Sequence, residues 1–101
     1  MKAIGNQIAA GGNRGISGAV SETDAMKLGE RFVGPGYKEM SAGKGLISAD
    51  GLRQFRVPSP KRGINPMTGE PWSRTGVQVN FQSRFEAVGE WLNNVHLDVK
   101  P

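Results

Sequence analysis

Apolar and polar positions change their period twice along this chain of 101 residues. Over residues 1–20, MKAIGNQIAAGGNRGISGAV, no period is sustained and five glycines interrupt the sequence. Each glycine raises the entropy cost of ordering, so the stretch reads as a flexible Gly-rich linker or tail. It leaves room for a helical turn around Asn6 to Ala10. A helical period follows. Ala25, Leu28 and Phe32 fall at helical spacing with Val33 beside them. Ser21 suits the N-cap, and Glu22 and Asp24 suit the first turn, where the helix dipole favours anions. "GPG" at 34–36 stops the run, so the spacing predicts a helix over about 22–33.

From Tyr37 the period becomes two. "YKEM" and "GLIS" are short strands joined by the turn-rich "SAGKG", a hairpin signature, and "ADG" at 49–51 is a further turn. "LRQFRV" (52–57) alternates, with Arg53, Phe55 and Val57 on one face and Leu52, Gln54 and Arg56 on the other. Pro58 and Pro60 are expected to end it, because proline has no ladder donor. Residues 58–74 then form a long loop with four prolines, and loops of that length are often functional. "TGVQVNFQS" (75–83) is the clearest strand. Val77, Val79 and Phe81 point one way, and Gln78, Asn80 and Gln82 the other. "RFEAVGEWL" (84–92) has Phe85, Val88 and Leu92 at helical spacing, but Gly89 tips it towards strand. "NN" at 93–94 reads as a turn. "VHLDV" (95–99) alternates again, with His96 and Asp98 opposite Val95, Leu97 and Val99. Residues 21–101 therefore read as a single α+β domain: a short N-terminal helix packed on a small, twisted, mainly antiparallel sheet. The expected core is Leu28, Phe32, Phe55, Val57, Val77, Val79, Phe81, Leu97 and Val99.

Composition narrows the chemistry. With 37% apolar residues and a net charge of +4, the chain supports one modest core and favours an anionic partner. No apolar run approaches the ~20 residues of a membrane span, and the N-terminus lacks an apolar signal core. Zero cysteines exclude a disulfide framework, a thiolate zinc site and a Cys–His nucleophile. One histidine excludes a multi-histidine metal centre. "GNRG" and "GKG" lack the spacing of a phosphate loop, and the nine carboxylates fall in no two-metal nuclease pattern. No metal and no cofactor are expected.

What survives is the basic segment around "ADGLRQFRVPSPKRG" (49–63). Between Gly51 and Arg84 lie six cations, Arg53, Arg56, Lys61, Arg62, Arg74 and Arg84, against one acid, Glu70. Singly, each suits a solvated sheet face. As a cluster they repel one another unless an anion is their partner. An exposed aromatic such as Trp72 could stack on a base. Metal-free RNA cleavage needs a group titrating near neutrality and cations for the phosphorane. His96 alone has an unperturbed pKa that suits the first role. The candidate catalytic set is thus His96, Arg53 or Arg56 on the scissile phosphate, and Thr75 as a hydroxyl donor. Lys61, Arg62, Arg74, Arg84 and Trp72 are candidate RNA contacts. Asp98, on the same strand face as His96, is placed to orient the imidazole and raise its pKa. A non-catalytic module binding nucleic acid or protein through the same residues stays open, as does a metal-dependent DNase.

"LGERFVGPGYKEM", "GLISADGLRQFRVPSPK", "TGVQVNF" and "NNVHLDV" resemble the C-terminal toxin domains of contact-dependent growth inhibition and filamentous-haemagglutinin-like exoproteins. The resemblance covers about residues 21–99. It implies a nuclease, foremost a transfer-RNA ribonuclease, with a fold similar to barnase and the colicin RNases. It also implies a secreted exoprotein, delivery of this domain into the cytoplasm of a target bacterium, and a cognate immunity protein, expected to be acidic. A host translation factor is a conceivable activator on the same grounds, and no membrane contact is expected of the mature domain.

Overall fold

The computed structural model describes residues 4–6, 8 and 12–100. Its elements are β1 (Asn13–Val20), α1 (Glu22–Val33), β2 (Lys38–Glu39), a 3₁₀ turn (Ser41–Gly43), β3 (Gly45–Ile47), β4 (Arg53–Pro60), β5 (Val77–Ser83) and β6 (Asn93–Val99). Residues 4–6 and 8 are also helical. The six strands form one sheet in the order β1-β6-β5-β4-β3-β2. All neighbours are antiparallel except β1 and β6, which run parallel. The domain is α+β with a mixed, mainly antiparallel sheet.

α1 begins and ends where its sequence says. Ser21 Oγ accepts from the Asp24 N–H at 3.1 Å, and Gly34, at φ 77, closes the helix by donating to Glu30 O. Ala25, Leu28, Gly29 and Val33 face the sheet. A Cβ at Gly29 would collide with the Phe55 ring, so helix and strand touch here because one residue has no side chain. Phe55, Val79, Phe81, Val95, Leu97 and Val99 are buried on the helix side. Phe81 packs its ring on both Phe32 and Phe55, at 5.5 and 5.3 Å between centroids. Each such side chain removed from water contributes about 1.5–3 kcal/mol. Phe32, Val57 and Val77 are half-buried against this core.

Several expectations are corrected. The N-terminal segment is not all linker: residues 13–20 pair with β6, and Ile16 and Val20 enter the core. A bulge lies between Ile16 and Ala19, where Gly18 has φ 95: Gly18 takes the position between the two apolar residues without a side chain, and Ile16 and Val20 oppose Leu97 and Val99. The turn expected around Asn6 to Ala10 agrees with the helical residues 6 and 8, and its other positions lie outside the described residues. β4 runs through both prolines because its ladder with β5 is bulged between Arg56 and Ser59, and β3 ends opposite Arg56. Proline is tolerated at a bulge or an edge. Residues 84–92 are neither helix nor strand, and Asn93 and Asn94 are not a turn but open β6.

Candidate nucleic-acid interface

Strand alternation puts a second set of side chains on the face turned away from α1. Arg56 pairs with Asn80, Asn80 with His96, and His96 with Gly15 of β1. These four residues make one row across four strands. A second row runs Gln54, Gln82, Asn94, and a third joins Gln78 to Asp98. Arg56 and His96 are two strand spacings apart, about 9.5 Å between Cα atoms. Gly15 is exposed and brings no side chain, so the row is open beside the imidazole. Gln54 Nε2 donates to Gln82 Oε1 at 2.7 Å. Asn80 Nδ2 lies 3.1 Å from Asn94 Oδ1 and 3.2 Å from His96 Nδ1.

The connection from β4 to β5 is a folded ribbon rather than the structureless loop expected. Lys61 N–H donates to Gly76 O, and Trp72 N–H to Gly63 O. Ile64 bridges Pro71, and Asn65 closes the tip by accepting from Thr68 and Gly69 N–H, while its Oδ1 accepts from Met67 N–H. Asp98 fastens the ribbon to the sheet. Its Oδ1 accepts from Ser73 Oγ at 2.7 Å and from Gln78 Nε2 at 3.1 Å, and its Oδ2 from Arg74 N–H at 3.3 Å. Gln78 Nε2 also reaches Trp72 O at 3.0 Å.

This anchoring decides where the expected site residues lie. Arg56 and His96 share the open face. Lys61 stands at the ribbon's base with its Nζ 5.8 Å from the Trp72 ring centroid, and Trp72 is 47% exposed. Arg62 and Arg74 are exposed on facing legs of the ribbon, between the Lys61–Gly76 and Gly63–Trp72 hydrogen bonds. Like charges held opposite one another on a ribbon repel unless an anion lies between them.

Three expected placements fail. Arg53 shares the helix side with Phe55: a Cβ on Gly34, at the end of α1, would lie 3.8 Å from Arg53 Nη2. It does not share a face with His96. Arg84 is occupied structurally. Its Nε, Nη1 and Nη2 donate to Gly51 O, Gly89 O and Ala87 O at 3.0, 2.8 and 2.9 Å, and the guanidinium stacks 3.9 Å from the Trp91 centroid. The Thr75 hydroxyl donates to Val77 O at 3.0 Å, which spends its proton on the turn.

Set against known proteins, the chain matches no family model, no curated protein and no solved structure.

The face is therefore read from its own chemistry. Burial lowers the His96 pKa below the ordinary histidine value, and the nearby Lys61 ammonium lowers it further. Asp98 was expected to do the reverse, but none of its hydrogen bonds goes to the ring, because Ser73 and Arg74 of the ribbon and Gln78 of β5 take them. A ring kept neutral at physiological pH can accept a proton, which suits a general base. Among the described residues, no group of three or more His, Asp or Glu side chains could hold a metal ion, and no helix is long and apolar enough to cross a membrane. The residues missed from sequence are amides: Asn80, Asn94, Gln54 and Gln82. For Asn80 and Gln82 the signal was present in the alternation of 75–83, and for Gln54 in that of 52–57, whereas Asn94 was read as a turn and lies in β6.

Proposed function

We propose that this domain is a metal-independent endoribonuclease of the delivered antibacterial toxin kind, with barnase-like architecture, transfer RNA as its expected substrate and an acidic immunity protein as its inhibitor. The observation that carries the reading is the Arg56–Asn80–His96 row on an open, helix-free sheet face, bordered by the Lys61–Trp72 ribbon. His96 takes the proton of a ribose 2′-hydroxyl, and the 2′-oxygen attacks phosphorus. The P–O5′ bond breaks and the leaving oxygen is protonated, giving a 2′,3′-cyclic phosphate and a 5′-hydroxyl. Arg56 and Lys61 offset the charge of the phosphorane, the contribution that oriented donors make most effectively. Trp72 stacks a base, and Arg62 and Arg74 hold flanking phosphates. The same basic face would serve an acidic inhibitor competing with RNA, with fast association steered by charge.

A non-catalytic RNA-binding module is the second reading. It is favoured by one observation: Asp98 is committed to the ribbon, leaving the imidazole without a carboxylate to orient it. Incubating the pure domain with total bacterial RNA in excess EDTA separates the two. The nuclease reading expects discrete fragments with 5′-hydroxyl ends and their loss in His96→Ala. RNA that is bound but stays intact in wild type establishes the binding module instead.

A further inference from the structure

Asn80 stands between Arg56 and His96, and its side chain serves two neighbours at once, Asn94 Oδ1 at 3.1 Å and His96 Nδ1 at 3.2 Å. A carboxamide turned over about its last bond exchanges NH₂ for carbonyl oxygen at nearly the same position. Two arrangements of this trio are therefore internally satisfied. In the one observed, the Asn80 NH₂ donates to the Asn94 carbonyl and to the Nδ1 lone pair, so a neutral ring carries its proton on Nε2. With both amides reversed, the Asn94 NH₂ donates to the Asn80 carbonyl, which also accepts from Nδ1–H. Only the reversed arrangement suits an imidazolium, in which both ring nitrogens are donors. It is also the one that leaves Nε2 with a lone pair, and among the described residues Nε2 has no hydrogen-bond partner.

We propose that Asn80, backed by Asn94, is the positioning residue of His96: the coupled amides select which ring nitrogen holds the proton, and their reversal presents Nε2 as the base. The catalytic consequence rests on the ribonuclease reading. The 2′-hydroxyl proton moves to Nε2 as the 2′-O–P bond forms. It passes from Nε2 to the leaving 5′-oxygen as P–O5′ breaks, while Nδ1–H stays on the Asn80 carbonyl. The balance needs no other reactant. The charged groups near the ring are Lys61 from the ribbon, Arg56 across β5, and Asp98 two residues along β6. β5 itself places only amides in the three rows, and β1 contributes Gly15 beside the ring. The side chain that touches the ring is thus an uncharged one able to present either polarity.

His96 is the chain's single histidine, so nitrogen NMR follows its ring without ambiguity in the intact domain. Asn80→Asp offers the ring only an acceptor, and Asn80→Leu offers nothing. In Asn80→Asp the neutral ring is expected to shift to the Nδ1–H tautomer, its titration midpoint to rise, and the acid limb of the pH–rate profile to move the same way. In Asn80→Leu, kcat should fall between roughly ten- and a hundredfold with KM held within about twofold, the signature of lost orientation. The same tautomer and midpoint in all three proteins would overturn the proposal, and so would a wild-type kcat in Asn80→Leu. If Asn80→Leu does not fold, the near-isosteric Asn80→Asp decides through the tautomer alone. If wild type cleaves no RNA, the ribonuclease reading falls, while the ring titration still decides the role of Asn80.

Discussion

Removing the Arg84 side chain strands three backbone carbonyls, those of Gly51, Ala87 and Gly89, and uncovers the Trp91 ring. Net hydrogen-bond contributions near 1 kcal/mol are reduced here by the partial exposure of Arg84. Arg84→Ala should therefore lower unfolding free energy by about 1–2 kcal/mol while leaving the salt dependence of RNA binding unchanged. Lys61→Ala should do the opposite. Its ammonium is exposed and rests on Trp72, so stability should change by less than about 0.5 kcal/mol. The slope of log K against log salt should fall by roughly one contact's worth. Urea melts and binding titrations at several salt concentrations measure both. A reduced slope in Arg84→Ala would return that residue to the interface. Charge alone could not separate these two cations in the sequence, since what distinguishes them is whether carbonyls surround them.

At the scale of elements, the parts that follow one period were legible and those shaped by a bulge or a side-chain anchor were not. The helix over Glu22–Val33 and strands β5 and β6 follow from spacing, caps and glycines that all agree. β1 was hidden because glycines at 15 and 18 leave only Ile16 and Val20 to mark its inward face, and β4 because prolines normally stop a ladder. Residues 84–92 carry Phe85, Val88 and Leu92 at a helical spacing, yet all three are exposed. Their shape is set by the Arg84 clamp, a contact that no local pattern encodes. The ribbon over 61–76 was hidden for a related reason. Its docking depends on Asp98, 22 residues further along the chain than its last residue, Gly76. Hydrogen bonds to an ionised acceptor are worth roughly 1.5–3 kcal/mol, and Asp98 accepts three. Asp98→Asn turns one acceptor oxygen into a donor that faces other donors. Amide exchange should then accelerate over residues 72–77 and leave β5 and β6 protected, and RNA affinity should fall with the loosened Lys61 and Trp72. Unchanged protection in the ribbon would show that something other than Asp98 holds it down.

The whole molecule divides its labour between the two faces of one sheet. Phe55, Phe81 and Leu97 hold α1 on one side; on the other, Gln54 and Gln78 are buried and the Arg56–Asn80–His96 row between them is left to meet a ligand. His96 belongs to the second face yet is half-buried, which couples the candidate site to global stability. Its pKa is lowered by burial and then by Lys61, so the unfolded chain takes up a proton before the folded one does. Acidification therefore favours unfolding: stability is complete above the ordinary histidine value near 6.5 and declines as pH falls from there towards the depressed folded value. Asp50 acts in a separate window. Its carboxylate is held below the ordinary range, first by the Ser48 hydroxyl and then by the Leu52 N–H. That contribution is present above about pH 3.9 and is lost below it. Wild type should lose urea resistance in two steps, one that begins as pH falls through about 6.5 and another below about pH 4. In His96→Asn the first step should vanish and the second remain. Lys61→Met should shrink the first step, because it removes the smaller of the two causes. A wild-type urea midpoint that stays flat from about pH 7 to 5 would mean that the ring titrates alike in both states, and the partial burial that couples His96 to folding would be refuted.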